Sequence, residues 1–395
     1  MTRTQDRSLL RDPNLQVIFS ITLMVVLGVS SITPVFPMVV EELGIAPEAV
    51  GLLITAYALP GILLMPVLGI LADRMGRKKV LVPALILFAV AGTACAFARD
   101  FRLLLVLRFF QGMGGASLGS LTATLVGDLY RGRQRTEAMG YKASVLSVGS
   151  AVYPAVGGAL AVFGWYVPFA LPILGLVVAG AVLFRLETVA VEEGGRFTAY
   201  LGEAAQIMKN RKVAALYLAT LVSFMVLYGA YMTFIPLHLA ARFGSSALAI
   251  GSIMSIGSLT TAVTASRLGV LNRLLARDSL LVGAFALFAV SFLVLPWLPG
   301  HWWVAFPVGL FGVGQGLNYP VVLSLLAGHA PTKHRAIFMA VNGTVIRMGQ
   351  ALGPILMAGV SVWWGTDRVF YVATGICAAM VLGLPWMLRG GKAEE

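Results

Sequence analysis

Three cations, Arg108, Lys142 and Arg347, stand inside long apolar runs, whereas all 17 acids fall in loops or at run ends, Asp128 and Glu137 included. A positive side chain held away from water can hold an anionic group. The usual enzymic chemistries are not indicated. The chain shows no Ser/His/Asp set, no protease motif and no metal-ligand cluster. Cys95 and Cys377 lie far apart inside apolar runs, so neither a disulfide framework nor a metal or cofactor is expected.

Each cation has polar company at helical spacing. Arg347 lies 12 residues past Arg335, about 18 Å of helix. At 100° per residue, Asn342, Gly343, Ile346, Arg347, Gln350 and Gly353 share one arc, with Val341, Val345, Met348, Leu352 and Ile355 opposite. The polar arc has to face protein or water, so Arg347 is expected to point inward. Lys142, Ser147, Ser150 and Tyr153 form a similar arc. Lys142 either joins the interior or snorkels back to the interface beside Arg135. Arg108 shares a stripe with Gln111, Gly112, Gly115, Gly119 and Thr122, and its plain reading is a structural hydrogen-bond hub. Gln315, Asn318 and Tyr319 hold the corresponding place later in the chain. Phe224, Tyr228, Tyr231 and Ile235 make an aromatic face that reads as packing or as a ligand wall, the two phenols needing partners. His238 could titrate, but a single histidine near a loop is usually structural.

The elements that must carry these residues follow from composition. Of 395 residues, 58% are hydrophobic and 12% charged, with a net charge of +12 and a mean hydropathy of +0.88. A soluble domain carries about 25% charged residues, so the solvent here is lipid. The cations sit in short loops, not on one amphipathic face, which favours anionic lipid headgroups over nucleic acid. The first 12 residues are polar and precede no small-residue cleavage site, which argues against a removed signal peptide. Runs of the ~20 residues a crossing needs occur twelve times: 14–40, 49–72, 79–98, 103–127, 137–160, 165–186, 213–240, 249–268, 279–298, 302–328, 336–360 and 368–389.

Loop charge orients them. Both ends of the chain and the loops after even-numbered runs hold 22 of the 29 Lys and Arg, and the other loops hold Arg99, Arg102, Arg242 and Arg368. The positive-inside rule therefore places both termini in the cytoplasm of a multi-pass cell-membrane protein. Residues 1–186 and 213–395 are expected to form two six-helix bundles joined by a linker over 187–212. The linker's Phe197, Leu201, Ala204 and Met208 beside Lys209, Arg211 and Lys212 suit an interfacial helix, or equally a solvated connection.

The halves repeat at an offset of 200. Gly44 and Gly51 recur as Gly244 and Gly251, Leu87–Val90 as Leu287–Val290, and Gly112 and Gly114 as Gly312 and Gly314. Arg135, Met139, Gly149 and Pro154 recur as Arg335, Met339, Gly349 and Pro354. Six crossings per half make the repeat parallel, and transporters built so bind substrate near mid-membrane between the halves.

The loop Gly69–Lys79, GILADRMGRKK, resembles the signature between helices 2 and 3 of the major facilitator superfamily. Arg108-Phe-Phe-Gln111-Gly112-Met-Gly114-Gly115 resembles that family's helix-4 pattern. Gly149-Ser-Ala-Val-Tyr153-Pro154-Ala-Val-Gly157-Gly158 resembles the helix-5 pattern of its drug:proton antiporter branch, with Tyr153 where that branch usually has Gly. The resemblance implies an all-α integral membrane protein of 12 transmembrane helices in two six-helix repeats. It implies alternating access, proton coupling and no bond-making chemistry, and for Arg108 a role in proton transfer or in holding the cavity's charge. It also implies a latch of Gly69, Asp73, Arg74, Gly76 and Arg77, with Asp73 meeting a helix N-terminus of the other half or a nearby Arg. The plain alternative is that these cations only fix topology. Gly149, Pro154, Gly157 and Gly158, with Gly349 and Pro354, are expected to form the bent, closely packed helices between the halves.

The expected cavity residues are Arg108, Gln111, Lys142, Tyr153, Tyr228, Tyr231, Gln315, Asn318, Asn342, Arg347 and Gln350. With no acid among them, the cavity should repel organic cations and favour anionic, zwitterionic or neutral amphipathic molecules. The expected function is efflux of such small molecules by a monomer coupled to protons. An organic-anion or phosphorylated-metabolite exchanger, running on a counter-anion, is the alternative. A channel or intramembrane enzyme ranks behind both.

Overall fold

The computed structural model describes residues 9–187, 210–329 and 335–388, so the expected linker helix lies outside the described residues. All regular structure within them is helical. We label the crossings α1 (Pro13–Leu43), α2 (Leu52–Met75), α3 (Arg77–Ala94), α4 (Phe101–Gly115 and Leu118–Leu129), α5 (Gly132–Leu160) and α6 (Val167–Arg185). The second half holds α7 (Arg211–Phe243), α8 (Ala247–Leu274), α9 (Arg277–Val294), α10 (Ala305–His329), α11 (Arg335–Trp364) and α12 (Thr366–Leu388). Among the described residues, eleven of these are continuous helical runs long and apolar enough to cross a membrane.

The twelfth, α4, is interrupted at Ala116–Ser117. The break follows a run of glycines, which hold a helix weakly. It also has a tertiary cause. A Cβ at Gly112 would overlap the backbone of Tyr57 in α2, and one at Gly114 would lie 2.5 Å from the Phe88 nitrogen in α3. The chain here is shaped by the helices it touches.

Helix ends follow local chemistry. Asp12 accepts from the Asn14 amide at 2.9 Å and Pro13 occupies the first turn of α1. Asp100 and Asn210 cap α4 and α7 in the same way. Gly44 closes α1 at φ 59° and Gly244 closes α7 at φ 61°, both left-handed, a conformation glycine takes at little cost. The 200-residue repeat thus extends to backbone torsions.

Even crossing number puts the start of α1 and the end of α12 at one end of the bundle, together with the Arg- and Lys-rich loops. We call this the basic end and its opposite the far end. Leu63, Phe163, Phe184 and Leu382 are largely exposed around the sides. Exposed Trp297, Trp302, Trp303, Trp363 and Trp364 gather at the far end, as interfacial tryptophans do.

The halves meet along two antiparallel seams, α5 on α8 and α2 on α11. At the far end both seams are tight. A Cβ at Gly158 would overlap the backbone of Ala247, and one at Gly251 the backbone of Pro154. Gly51 lies against Pro354 and Thr233, and the Thr55 hydroxyl donates to the Ala351 carbonyl at 2.9 Å. Toward the basic end the seams open. Gly69 in α2, Gly140 in α5 and Gly269 in α8 have nothing within 4 Å of an added Cβ among the described residues. Among the described residues, the halves are shut at the far end and parted toward the basic end.

Candidate functional site

Arg347 crosses the cleft between the halves at the depth where the α2–α11 seam begins to part. Its side-chain stem lies against Gly61 of α2, and any Cβ there would come within 3.0 Å of it. One η-nitrogen donates to Gln350 Oε1 at 3.0 Å and the other to the Gly115 carbonyl of α4 at 3.4 Å. The guanidinium carbon lies 5.8 Å from the centroid of the Tyr57 ring. No described acid pairs with it. Carbonyl oxygens and a ring face soften the cost of the charge but leave it positive.

Tyr57 is the residue that sequence reasoning missed. Its ring has Arg108 at 4.7 Å and Arg347 at 5.8 Å, so one phenol stands beside a cation from each half. Gly28 of α1 and Gly115 of α4 make room for its hydroxyl, which is buried without a described partner. A tyrosine alone in an apolar run gives a weak signal. Its spacing to Gly61 and Met65, the latter against Gly343, marks the α2 face that meets α11.

Arg108 and Gln111 do not line the cleft. Arg108 is 1% exposed and donates to the Leu53 carbonyl at 3.2 Å, the Gly28 carbonyl at 2.8 Å and Gln111 Oε1 at 2.7 Å. This is the hub geometry: a guanidinium fork tying α1, α2 and α4 inside the first half. Its remaining η-nitrogen has no described partner. Lys142 does not snorkel to the basic end. Its Nζ reaches the Gly119 carbonyl at 3.5 Å, just beyond the break in α4. Tyr153 is half-buried on α5, near Gly149.

In the second half, Phe224 stacks on Tyr228 with centroids 6.2 Å apart and meets Tyr319 edge-on at 5.6 Å. Tyr228 is within electrostatic reach of Arg347, Tyr57 and Tyr319. It therefore belongs with the central group. Tyr231 is withdrawn from it: its ring stacks on Phe311 at 4.5 Å and its hydroxyl donates to the Met254 carbonyl at 3.4 Å. Both tyrosines lie on a π-helical stretch, Leu227–Phe234, whose wider turn separates their directions. Gln315 accepts from the Ser223 hydroxyl at 3.2 Å, and Asn342 from the Thr220 hydroxyl at 3.0 Å. Asn318 is buried, with an amide nitrogen that has no described partner.

The expected interface residues divide. Pro154, Gly158 and Pro354 contact the opposite half. Gly149 packs on Leu23 and Gly157 on the Ser31 backbone within the first half, and Gly349 packs on α7 within the second.

At the basic end Asp73 pairs with Arg77, and Arg77 reaches Asp128 of α4 at 3.2 Å. All three belong to the first half, and no hydrogen bond or ion pair among the described residues links Asp73 to the other half. Arg74 is exposed, Gly69 is uncrowded and Gly76 makes the turn at φ 96°. Nearby, the Tyr130 hydroxyl donates to Asp12 Oδ2 at 2.7 Å. Burial, then that carboxylate, hold the phenol well above its ordinary value.

The sequence model of the Major Facilitator Superfamily matches residues 18–282 and 216–395. The chain is 24% identical to the bacillibactin exporter of Bacillus subtilis (strain 168), over 97% of this chain and 98% of that protein. It is 26% identical to multidrug resistance protein 2 of the same organism, over 60% and 61%. A crystal structure of a mutant of the nucleoside transporter NupG superposes with a TM-score of 0.80 at 14% identity, covering 95% of this chain and 100% of that one.

Proposed function

The chain belongs to the Major Facilitator Superfamily, and from that premise we propose that it is a secondary active exporter of small amphipathic molecules with anionic, zwitterionic or neutral character. Its transport class rests on the family, and export on the relatives, which include an exporter and a multidrug resistance protein. The basic end faces the cytoplasm in this reading, by the positive-inside rule. The arrangement described is then open to the cytoplasm and shut outside, ready to load.

One observation carries the substrate class: Arg347 at the centre of the cleft is bound by one backbone carbonyl, one side-chain amide and a ring, and by no described acid. An incoming carboxylate or phosphate would complete its partners, and an organic cation would meet uncompensated repulsion. Tyr57, Tyr228, Phe224 and Tyr319 supply the apolar and stacking wall for the rest of the molecule. Closing the basic end around the load, with the Asp73–Arg77–Asp128 cluster engaging the second half, completes the cycle.

The test is binding and transport by purified protein in vesicles. A thermal-shift screen against anions, cations and neutral compounds should return anionic or neutral stabilisers, and Arg347→Ala should abolish the response to the anionic ones. Unchanged handling of an anion by that variant defeats the reading. Exchange of one organic anion for another is the second reading, favoured by the lack of a described acid near Arg347. A pH gradient that drives transport supports proton coupling; a trapped counter-anion that drives it supports exchange.

A further inference from the structure

At the far end of α7, His238 is 3% exposed and its Nδ1 lies 3.2 Å from Asp367 Oδ1, in the first turn of α12. A carboxylate only accepts, so Nδ1 carries the proton in this pair. The other ring nitrogen, Nε2, is buried with no hydrogen-bond partner among the described residues. The ring is walled by Phe243 and Phe370, both edge-on, with centroids at 6.1 and 5.3 Å. Asp367 is 59% exposed. A buried imidazole with one nitrogen bare thus reaches the far-side solution through an acid that would face its charged form.

The pair is confined to the second half. At the 200-residue offset, His238 and Asp367 correspond to Met38 and Val167, neither of which can take up a proton. Its place matters too. The last turns of α7, Ile235–Phe243, pack across the cleft on Phe36–Leu43 and on the Thr33–Val35 turn before it, and so help shut the far end. The charged groups around the ring are few. Arg242 donates to the Pro296 carbonyl and lies over Phe243. Glu41 and Glu42 of α1 are exposed, and Arg368 follows Asp367. The π-helical stretch and the first turns of α8 bring no charge. Among the described residues, Asp367 is the one acid that pairs with the ring.

We propose that His238 and Asp367 form a proton-binding pair facing the outer solution, whose charge state sets how firmly the far ends of α7 and α1 close. Proton uptake converts the imidazole to imidazolium while Asp367 stays the carboxylate opposite it. The new Nε2 proton has no acceptor in the closed arrangement, so the ring and the end of α7 must shift to find one. That shift loosens the contact with Phe36–Leu43. Protons arriving from outside would then favour the outward-open state that an exporter needs in order to release its load. The inference rests on the transport reading for this consequence alone; proton binding stands or falls by itself.

The experiment uses the full chain, purified in detergent with isotopically labelled histidine. The four histidines give separate ring signals, and the one lost in His238→Gln is assigned. The expected result is a titration of that signal with pH, moved to lower pH by Asp367→Asn, which removes the opposing carboxylate. In parallel, Val39→Cys, at a buried site on the α1 side of the contact, reports opening to an impermeant maleimide, since Cys95 and Cys377 are buried. Relative to a cysteine at an exposed control site at the same pH, which corrects for the falling thiolate fraction, its labelling should rise severalfold on acidification, and His238→Gln should flatten that response. A His238 signal that does not titrate, an unmoved midpoint in Asp367→Asn, or a labelling response indifferent to His238→Gln overturns the proposal. If His238→Gln does not fold, Asp367→Asn decides alone. Failure to find any transported compound would leave the titration readable.

Discussion

Arg347 and Tyr57 belong to different halves of the molecule, yet the guanidinium of one lies 5.8 Å from the ring centroid of the other. Arg108 stands 4.7 Å from the same ring. The ring face partly offsets two cations that no described acid pairs with, an effect of about 0.5–2 kcal/mol for each. Tyr57→Phe keeps the ring and removes a hydroxyl that has no described partner, so stability in a thermal-unfolding assay should be unchanged or slightly raised. Tyr57→Ala removes the ring and opens a hole between α1 and α4, and should cost about 3–5 kcal/mol. A Phe variant that unfolds as readily as the Ala variant would show that the hydroxyl, not the ring, is what matters.

Arg108 should behave as a structural residue. Arg108→Met strips the donors from Gly28, Leu53 and Gln111 at once, and should cost about 2–5 kcal/mol. Arg108→Lys cannot reproduce the fork and should fall between the two. Thermal unfolding checks the size. In the folded fraction, the preference among anionic, neutral and cationic compounds should match the parent chain, because this side chain does not reach the cleft. A changed preference would move Arg108 into the binding site.

Much of the architecture was legible because it depends on short-range pattern. Apolar run length gives the crossings, the 200-residue offset gives the two bundles, and Gly44 and Gly244 even share a torsion. The inward side of α11 followed from the arc holding Asn342, Arg347 and Gln350. What periodicity cannot say is which neighbour a polar stripe faces. Arg108 and Gln111 share a stripe that turns toward α1 and α2, and Tyr231 is turned from Tyr228 by a π-helical stretch no spacing rule expects. The break in α4 comes from glycines pressed on Tyr57 and on α3, a tertiary cause. Partner identity across the cleft, Tyr57 for Arg347 above all, depends on how the halves dock.

Tyr130 and Asp12 make a pH-dependent tie at the basic end. The phenol is held well above its ordinary value, by burial first and by Asp12 second. A raised folded value means that the unfolded chain releases this proton first. The contribution is therefore complete below about pH 10 and declines as the pH rises beyond it. Tyr130→Phe should lower stability by about 0.5–1.5 kcal/mol at neutral pH and flatten the alkaline limb of the unfolding curve. Asp12→Asn, which keeps an acceptor for the Asn14 amide, should cost less than Asp12→Ala.

Arg77 holds Asp73 and Asp128 together on the surface of the first half. Exposed pairs contribute about 0–1 kcal/mol each, so Arg77→Ala and Asp73→Asn should leave thermal stability nearly unchanged. Their effect should fall on turnover, since the cluster is proposed to engage the second half only when the basic end closes. A drop of more than tenfold in transport rate with an unmoved melting temperature is the expected pattern. Equal losses in both would reduce the cluster to a structural clamp.

The seam glycines offer the sharpest separation of states. Gly158 and Gly251 are pressed on opposing backbone across the α5–α8 contact, whereas Gly140 and Gly269, on the same helices, face open space toward the basic end. Adding a methyl group at a crowded site costs about 1–3 kcal/mol in the far-closed arrangement, and nothing once that seam has parted. The population should accordingly shift about 5- to 150-fold toward the far-open state. Gly158→Ala and Gly251→Ala should raise maleimide labelling of Val39→Cys. Gly140→Ala and Gly269→Ala should leave it unchanged or lower it, because their added methyls would meet neighbours only when the basic end closes. Identical labelling in all four variants would mean that the tight and open glycines do not track the two ends of a rocking cycle.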